Sequence, residues 1–224
     1  MEQQSKIKQK LYTYLEFLKR QPKGFVYNSQ QKQSISPTAK EKQLEQLKTT
    51  CKNCNKCPLF EQGRTQVVFG HGNPTARLML IGEGPGRNED KEGKPFIGRA
   101  GKLLTQILQA IGLKREDVYI SNVVKCRPPN NRAPLPLESS TCMKLLLFKE
   151  MQIIQPKIIC TLGATATCAL LGSETRISRA RGIFHQLQNT SVMPTYHPAY
   201  LLRNPHAKHD VWEDMKKIQT KLKE

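Results

Sequence analysis

Short apolar runs alternate with segments of helical period along most of the chain. The runs lie at residues 78–81, 118–124, 157–162 and 191–196, and each is too short to form a typical helix. Between and after them, residues 101–111, 137–154, 163–171 and 210–224 predict helices. Strands that alternate with helices predict an α/β fold with a parallel sheet and crossover helices.

The first fifty residues have a different pattern. Ile7, Leu11 and Leu15 recur at near-helical spacing, which predicts a short amphipathic helix over residues 1–20. Residues 23–37 are rich in Gln and Ser and predict a linker. Ser36 and Pro37 then start a second helix. We therefore predict a basic, partly flexible N-terminal helix and linker over residues 1–50 and one domain over 51–224.

Unusual polar residues follow the predicted strands. Ligands bind at the carboxyl ends of the strands in parallel sheets. The segments leaving those ends are 83–86, 122–126, 163–164 and 197–198. The first is a glycine-rich turn, and on its own it favours nothing more than a tight turn. Its position at a strand end makes it a predicted ligand site. Glu89 and Asp90, which follow it, have no assigned role.

Charge narrows the class of partner. The 224 residues carry a net charge of +18, and the pI is about 9.8. A polyanion, and nucleic acid above all, is the partner that such a charge favours. No apolar run approaches the roughly 20 residues of a membrane-spanning helix, and the first ten residues lack the apolar stretch of a secretion signal. We expect a cytoplasmic protein with no membrane partner.

Seven cysteines are present, and in an intracellular protein they are expected to be free, catalytic or metal-bound. Cys54 and Cys57 form a C-x2-C pair, and Cys126 and Cys142 flank a proline-rich loop. Four thiolates suit either a tetrahedral zinc ion or an iron-sulfur cluster, and the spacing does not choose between them. Cys51 is a fifth candidate ligand. We interpret Cys160 and Cys168, the remaining two, as ordinary buried thiols.

Three motifs in order, GEGPGRNEDKEGKPFIGRAGKLL, NVVKCRPPNNRAPLP and HPAYLLRNP, resemble the family 4 uracil-DNA glycosylases. The resemblance runs from about residue 54 to the C-terminus. It implies a three-layer α/β/α fold around a central, mainly parallel four-stranded sheet. It also implies a monomer with a 4Fe-4S cluster of structural role. The ligands that it implies are Cys54, Cys57, Cys126 and Cys142, which leaves Cys51 as an extra thiol.

The resemblance also assigns roles in excising uracil from DNA. A deoxyuridine flipped out of the stack is read at its Watson-Crick edge. In this sequence Asn122 matches the uracil-reading residue, Phe96 the stacking aromatic, and His197 the group that faces uracil O2. By the same resemblance, the turn Gly82, Glu83 and Gly84 is expected to contact the base and the attacking water. Glu83 is our first choice for positioning that water, and Asn131 is the second.

The remaining motif residues are expected to contact single- or double-stranded DNA near the nucleoid. Leu201 and Leu202, predicted on a loop, would fill the vacated base position, with Arg203 near a phosphate. Further phosphate candidates are Arg127, Arg132, Arg179 and Arg181. Arg87 stands where many relatives have an acidic residue.

Three alternatives stay open at this point. A covalently trapping relative needs a nucleophilic His on the loop after the second strand, and CRPPNNRAPLP contains none. A non-catalytic module that binds DNA or a partner is disfavoured because Glu83, Phe96, Asn122 and His197 are all present. The third alternative is a zinc-dependent nucleic-acid binder. It would not absorb visible light, whereas an iron-sulfur protein does.

Overall fold

A computed structural model describes residues 36–224. The predicted helix near the N-terminus and nearly all of the predicted linker lie outside the described residues. The first helix, α1 (Pro37–Cys51), begins as predicted: Ser36 accepts the Ala39 N–H at 3.3 Å, and Pro37 occupies the first turn. Leu47 packs into the core, and Lys40 donates to the Ile154 carbonyl at 2.7 Å. This helix therefore crosses residue 50 and packs on the domain.

One mixed sheet of six strands forms the centre of the molecule. The strands are β1 (His71–Gly72), β2 (Leu78–Gly82), β3 (Tyr119–Asn122), β4 (Ile158–Leu162), β5 (His185–Leu187) and β6 (Thr190–Thr195). Their order is β1-β3-β2-β4-β6-β5. The central four pair in parallel, whereas β1 and β5 pair antiparallel at the edges. The four predicted strands are confirmed, and the predicted total of four is wrong because two short edge strands were missed.

Helices cover both faces of the sheet, which confirms the predicted three layers. They are α2 (Arg87–Glu92), α3 (Arg99–Ala110), α4 (Pro136–Cys142), α5 (Phe148–Ile154), α6 (Ala164–Leu171), α7 (Ile177–Ala180), α8 (Pro198–Arg203) and α9 (Lys208–Lys223). A wide π-helical turn, Met143–Leu147, joins α4 to α5. None of the described helices is long and apolar enough to cross a membrane.

Two apolar cores lie on opposite faces of the sheet because successive strand residues point to opposite sides. Met79 and Ile81 face one core with α1, α5 and α6, and that core also includes Cys54, Cys57, Cys126 and Cys142. Leu78 and Leu80 face the other core with α3, α8 and α9. The cysteine-bearing segments and the helices behind the predicted pocket therefore belong to different layers.

Candidate active site

The segments that follow the four parallel strands meet at one edge of the sheet, as predicted. Hydrogen bonds continue beyond the strand ends: Val124 N donates to the Glu83 carbonyl at 3.1 Å, and Gly163 N donates to the Thr195 carbonyl at 2.8 Å. These bonds place the turn after β2 beside the end of β3, and the turn after β4 beside the end of β6. Glu83, Asn122 and His197 therefore all lie at the carboxyl ends of the parallel strands.

Gly82, Asn122 and Phe96 lie in close contact at the carboxyl ends of β2 and β3. A methyl group at position 82 would lie 2.5 Å from Asn122 Oδ1 and 2.5 Å from Phe96 Cζ. No side chain other than hydrogen fits there without displacing one of these neighbours. Gly82 thus lets the aromatic ring and the amide approach the same point from two elements.

Asn122 is the clearest sign of a ligand. Its side chain is buried, and Oδ1 has no hydrogen-bond partner among the described residues. A buried acceptor without a partner costs about 1–3 kcal/mol of desolvation. Such groups are rare in native proteins. An N–H donor on a bound molecule would satisfy this oxygen.

Phe96 is fixed in a backbone conformation that few residues other than glycine adopt. Its φ is 52°, and its side chain is buried. Glu89 holds the next two residues by accepting Ile97 N–H at 3.0 Å and Gly98 N–H at 2.8 Å. Arg115 donates to the Phe96 carbonyl at 3.0 Å. Glu89 and Arg115 were not found from the sequence, because their partners lie 8 and 19 residues away.

His197 completes this side of the pocket as a neutral donor. Its ring centroid lies 5.5 Å from that of Phe96. Burial and, to a lesser extent, Arg203 lower the pKa of His197 to about 4, and Glu89 opposes the shift. Nδ1 accepts the Ala199 N–H at 3.1 Å. The neutral ring therefore carries its proton on Nε2, and Nε2–H remains available to donate.

Glu83 lies on the turn after β2 and is held from α6. Thr165 Oγ1 donates a hydrogen bond to Glu83 Oε2. This bond does not involve the other carboxylate oxygen, Oε1. Asn131 lies on an exposed loop, where its Oδ1 accepts from Arg127 Nε at 2.8 Å. The structure thus brings Glu83 to the strand edge with a supporting hydroxyl, whereas Asn131 is linked to a surface arginine.

The four predicted ligand thiols lie near one another. Cys57 and Cys126 each interact electrostatically with Cys54, and Cys142 interacts with both Cys57 and Cys126. Burial raises the pKa of Cys57 and Cys126, and it raises that of Cys142 to about 12. Cys51 is coupled to Cys54. Within residues 36–224, no three His, Cys, Asp or Glu side chains are arranged to hold a single metal ion.

The segment that follows the C-x2-C pair is tied to the pocket loop and to a thiol. Asp90 is buried and accepts Thr65 N–H at 2.9 and 3.0 Å with its two oxygens. Arg64 Nη1 donates to Cys126 Sγ at 2.9 Å, and its guanidinium lies over the Phe60 ring at 5.1 Å. Asp90, whose role the sequence left open, therefore anchors the cysteine segment to α2.

Two parts of the predicted DNA contact are wrong. Residues 201–203 lie in α8 and not on a loop, because His197 and Pro198 provide its N-cap and first turn. Leu201 is 1% exposed and packs in the core, so it cannot enter DNA. Leu202, by contrast, is 40% exposed, and Arg203 is also exposed.

Two arginines that were predicted to contact phosphate, Arg132 and Arg181, have carboxylate partners within the protein. Arg132 donates to both oxygens of the buried Glu138 at 2.8 Å. Although burial opposes it, the pKa of Glu138 is lowered, because Arg132 and the Leu135 N–H hydrogen-bond its carboxylate. Arg181 is similarly paired with Asp214 at 2.7 Å. Both arginines pair with buried carboxylates, and their contact with phosphate stays a prediction. Arg179 remains exposed.

Comparisons with known proteins agree with this geometry. Residues 69–216 match the model of the uracil DNA glycosylase superfamily. The type-4 uracil-DNA glycosylase of Thermotoga maritima is 46% identical over 188 residues, which cover 82% of this chain and 97% of that protein. The one of Sulfurisphaera tokodaii is 46% identical over 185 residues, covering 79% and 83%. A type-5 enzyme of Thermus thermophilus is more distant, at 28% over 148 residues, covering 53% and 67%. The chain therefore belongs to the uracil DNA glycosylase superfamily, within its type-4 group.

Proposed function

We propose that this protein removes uracil from DNA by hydrolysing the N-glycosidic bond of a flipped-out deoxyuridine, which releases free uracil and leaves an abasic site. The observation that carries the proposal is the buried, unpartnered Oδ1 of Asn122 beside Phe96. Type-4 glycosylases whose aligned residues are 39–46% identical to this chain support the same reaction.

The pocket suits uracil better than cytosine. Asn122 Oδ1 can accept from uracil N3–H while its amide donates to O4. Cytosine presents an acceptor at N3 and a donor at its exocyclic amine, so it would leave both Asn122 groups facing like groups. Phe96 provides the stacking face, a contact worth about 1–3 kcal/mol per base in single-strand binding proteins.

His197 would stabilise the leaving group. Negative charge develops on the uracil ring as the glycosidic bond breaks, and Nε2–H is directed by the ring's bond to Ala199. A donor positioned in advance stabilises this charge more than it stabilises the bound substrate. Glu83, held by Thr165, is the group that we propose to orient the attacking water, with Asn131 as the second choice.

The four coupled thiols fit a 4Fe-4S cluster. Buried neutral thiols become thiolates when a metal group supplies positive charge. Cys54, Cys57, Cys126 and Cys142 would hold the cluster, and its role when bound would be structural, tying the C-x2-C segment to the loop after β3.

DNA would approach the edge that bears α8. Leu202 is the remaining apolar candidate for the vacated base position, and Arg203 is the nearby phosphate contact. The net charge of +18 supports a polyanion as partner. Binding should weaken steeply with salt because phosphate contacts release counterions. We further propose a cytoplasmic monomer that acts near the nucleoid on single- or double-stranded DNA.

The test is excision from labelled oligonucleotides that contain uracil, a thymine mismatch or hypoxanthine, followed by alkali cleavage. The wild-type protein should cleave the uracil strand, and Asn122→Asp should lose most of that activity because an aspartate cannot donate to O4. Asn189→Asp is the matched control, since Asn189 is exposed on the hairpin between β5 and β6. Absence of product from uracil DNA with folded, cluster-loaded wild-type protein would refute the proposal.

A further inference from the structure

A fully buried ion pair lies behind the pocket. Lys125 and Glu150 have side chains that are 0% and 1% exposed, and Lys125 Nζ lies 2.5 Å from Glu150 Oε2. Burying two charges costs several kcal/mol per ion, and apolar replacements are often as stable. A pair kept in the core therefore calls for a reason other than stability.

The ammonium group reaches the backbone of the pocket. Lys125 Nζ donates to the Asn122 carbonyl at 2.9 Å and to Ser121 Oγ. Ser121 in turn donates to Glu150 Oε2 at 2.7 Å. Ser121 and Asn122 are neighbours on β3, so their side chains point to opposite faces of the sheet. The network thus holds the peptide of Asn122 from behind while its side chain faces Phe96.

The acceptor in this network is itself fixed. Glu150 Oε1 accepts from Gly70 N at 2.9 Å and from Tyr119 OH at 3.3 Å. Burial raises the pKa of Tyr119 well above its ordinary value, and Glu150 raises it further, so the phenol stays a donor. Each oxygen of Glu150 has at least two donors, which leaves Lys125 little freedom to move.

We propose that Lys125, anchored by Glu150, is a positioning residue that holds Asn122 in register for reading the base. The effect on uracil excision is exerted by its ammonium group through the Asn122 peptide, while its backbone N–H separately donates to Cys142 Sγ at 3.3 Å. This inference rests on the proposed role of Asn122. The sequence did not indicate this role for Lys125. It directly precedes Cys126, and at that position it is easily interpreted as one more surface charge.

The test is a double-mutant cycle on uracil excision. Lys125→Met with Glu150→Gln removes both charges and leaves an amide that can still accept from Gly70. We expect kcat/KM to fall about 10–100-fold, the range for a small misplacement of a reacting group. In an Asn122→Ala background the same pair should cause no further loss. Competitive inhibition by free uracil should weaken in parallel.

Lys40→Met is the matched control, since Lys40 is also buried and also donates to one backbone carbonyl, on α5. It should lower the melting temperature and leave kcat/KM unchanged. Should the double variant fail to fold, Ser121→Ala weakens the same network and should show a smaller, equally Asn122-dependent loss. An additive loss, or none, would overturn the inference. If Asn122→Ala alone excised uracil at the wild-type rate, the proposed function of the pocket would fail instead.

Discussion

The charge state of His197 can be tested by changing the pH alone. Its pKa is lowered to about 4, first by burial and then by Arg203. The ring should therefore remain neutral from about pH 5 to about pH 8, where an ordinary histidine titrates. The excision rate should show no titration from this residue in that range.

The same shift makes stability depend on pH. Well above pH 6.5 the ring is neutral in both the folded and the unfolded chain, so it contributes no pH dependence there. As the pH falls below 6.5, the unfolded chain binds a proton that the folded chain refuses until the pH reaches about 4. The lowering from 6.5 to about 4, at 1.36 kcal/mol for each pKa unit, gives a loss of at most about 3 kcal/mol.

The assay compares the wild-type protein with His197→Asn, whose side chain is neutral at every pH. Urea unfolding at a series of pH values from about 4.5 to about 7.5 gives the free energy of unfolding of each. The free energy of unfolding of the wild-type protein, relative to that of His197→Asn, should be constant well above pH 6.5. It should decrease as the pH falls below 6.5. Nitrogen chemical shifts of the ring report the tautomer directly, and Nε2 should carry the proton.

Three results would refute this reasoning. A stability difference that does not change below pH 6.5, or a ring that titrates near 6.5, would show that burial does not exclude the charge. A proton on Nδ1 would remove the proposed donor. Removing the donor altogether, in His197→Leu, should also lower kcat about 10²–10³-fold, as removal of one oxyanion donor does elsewhere.

Other side chains give sharper contrasts. Thr165→Val should lower kcat severalfold while Thr165→Ser retains it, since only serine keeps the hydroxyl that holds the pocket carboxylate; equal rates would exclude that support. Arg132→Met should lower the melting temperature because its buried carboxylate partner loses its pair, and the salt slope of DNA binding should not change. Leu201→Ala should cost about 2–5 kcal/mol of stability, whereas Leu202→Ala should spare stability and weaken excision from duplex DNA; the reverse pattern would contradict the placement of α8.

The main strands could be predicted because each contains a short apolar stretch that is buried in the sheet, although β3 and β6 also include polar residues. The edge strands could not. His71–Gly72 has two residues, and neither is buried, while His185–Leu187 has no apolar run. Both are defined only by their pairing with β3 and β6. A pattern along the chain carries no information about such pairing, so the sheet is wider than predicted.

The helix α8 was missed although a local signal was present. Pro198 stands at its first turn and the His197 side chain caps it, both common at helix starts. Reading the motif as a DNA-contacting loop hid this signal and placed Leu201 on the surface. The helical period would have put Leu201 and Leu202 on different faces.

Some residues of the candidate site could be predicted from the sequence, and others could not. Strand ends and the family resemblance indicated Asn122, Phe96 and His197. The residues that support the site were not predicted. Thr165 bonds Glu83, which is 82 positions away. Lys125 is only three positions from Asn122, but it is fixed by Glu150, which is 25 positions away. Supporting residues of this kind are selected by contacts across the fold, and no local spacing reveals them.

The wide turn Met143–Leu147 gives its helix one residue of slack. It lies between Cys142, which faces the other thiols, and Glu150, which faces Lys125. Deleting one residue from the wide turn would restore a regular α-helix and keep both side chains on their present faces. A deletion after Glu150, within residues 151–154, would instead turn Ile154 by about 100° relative to Glu150. Length variation in this helix should therefore be tolerated between Cys142 and Glu150 and excluded after Glu150.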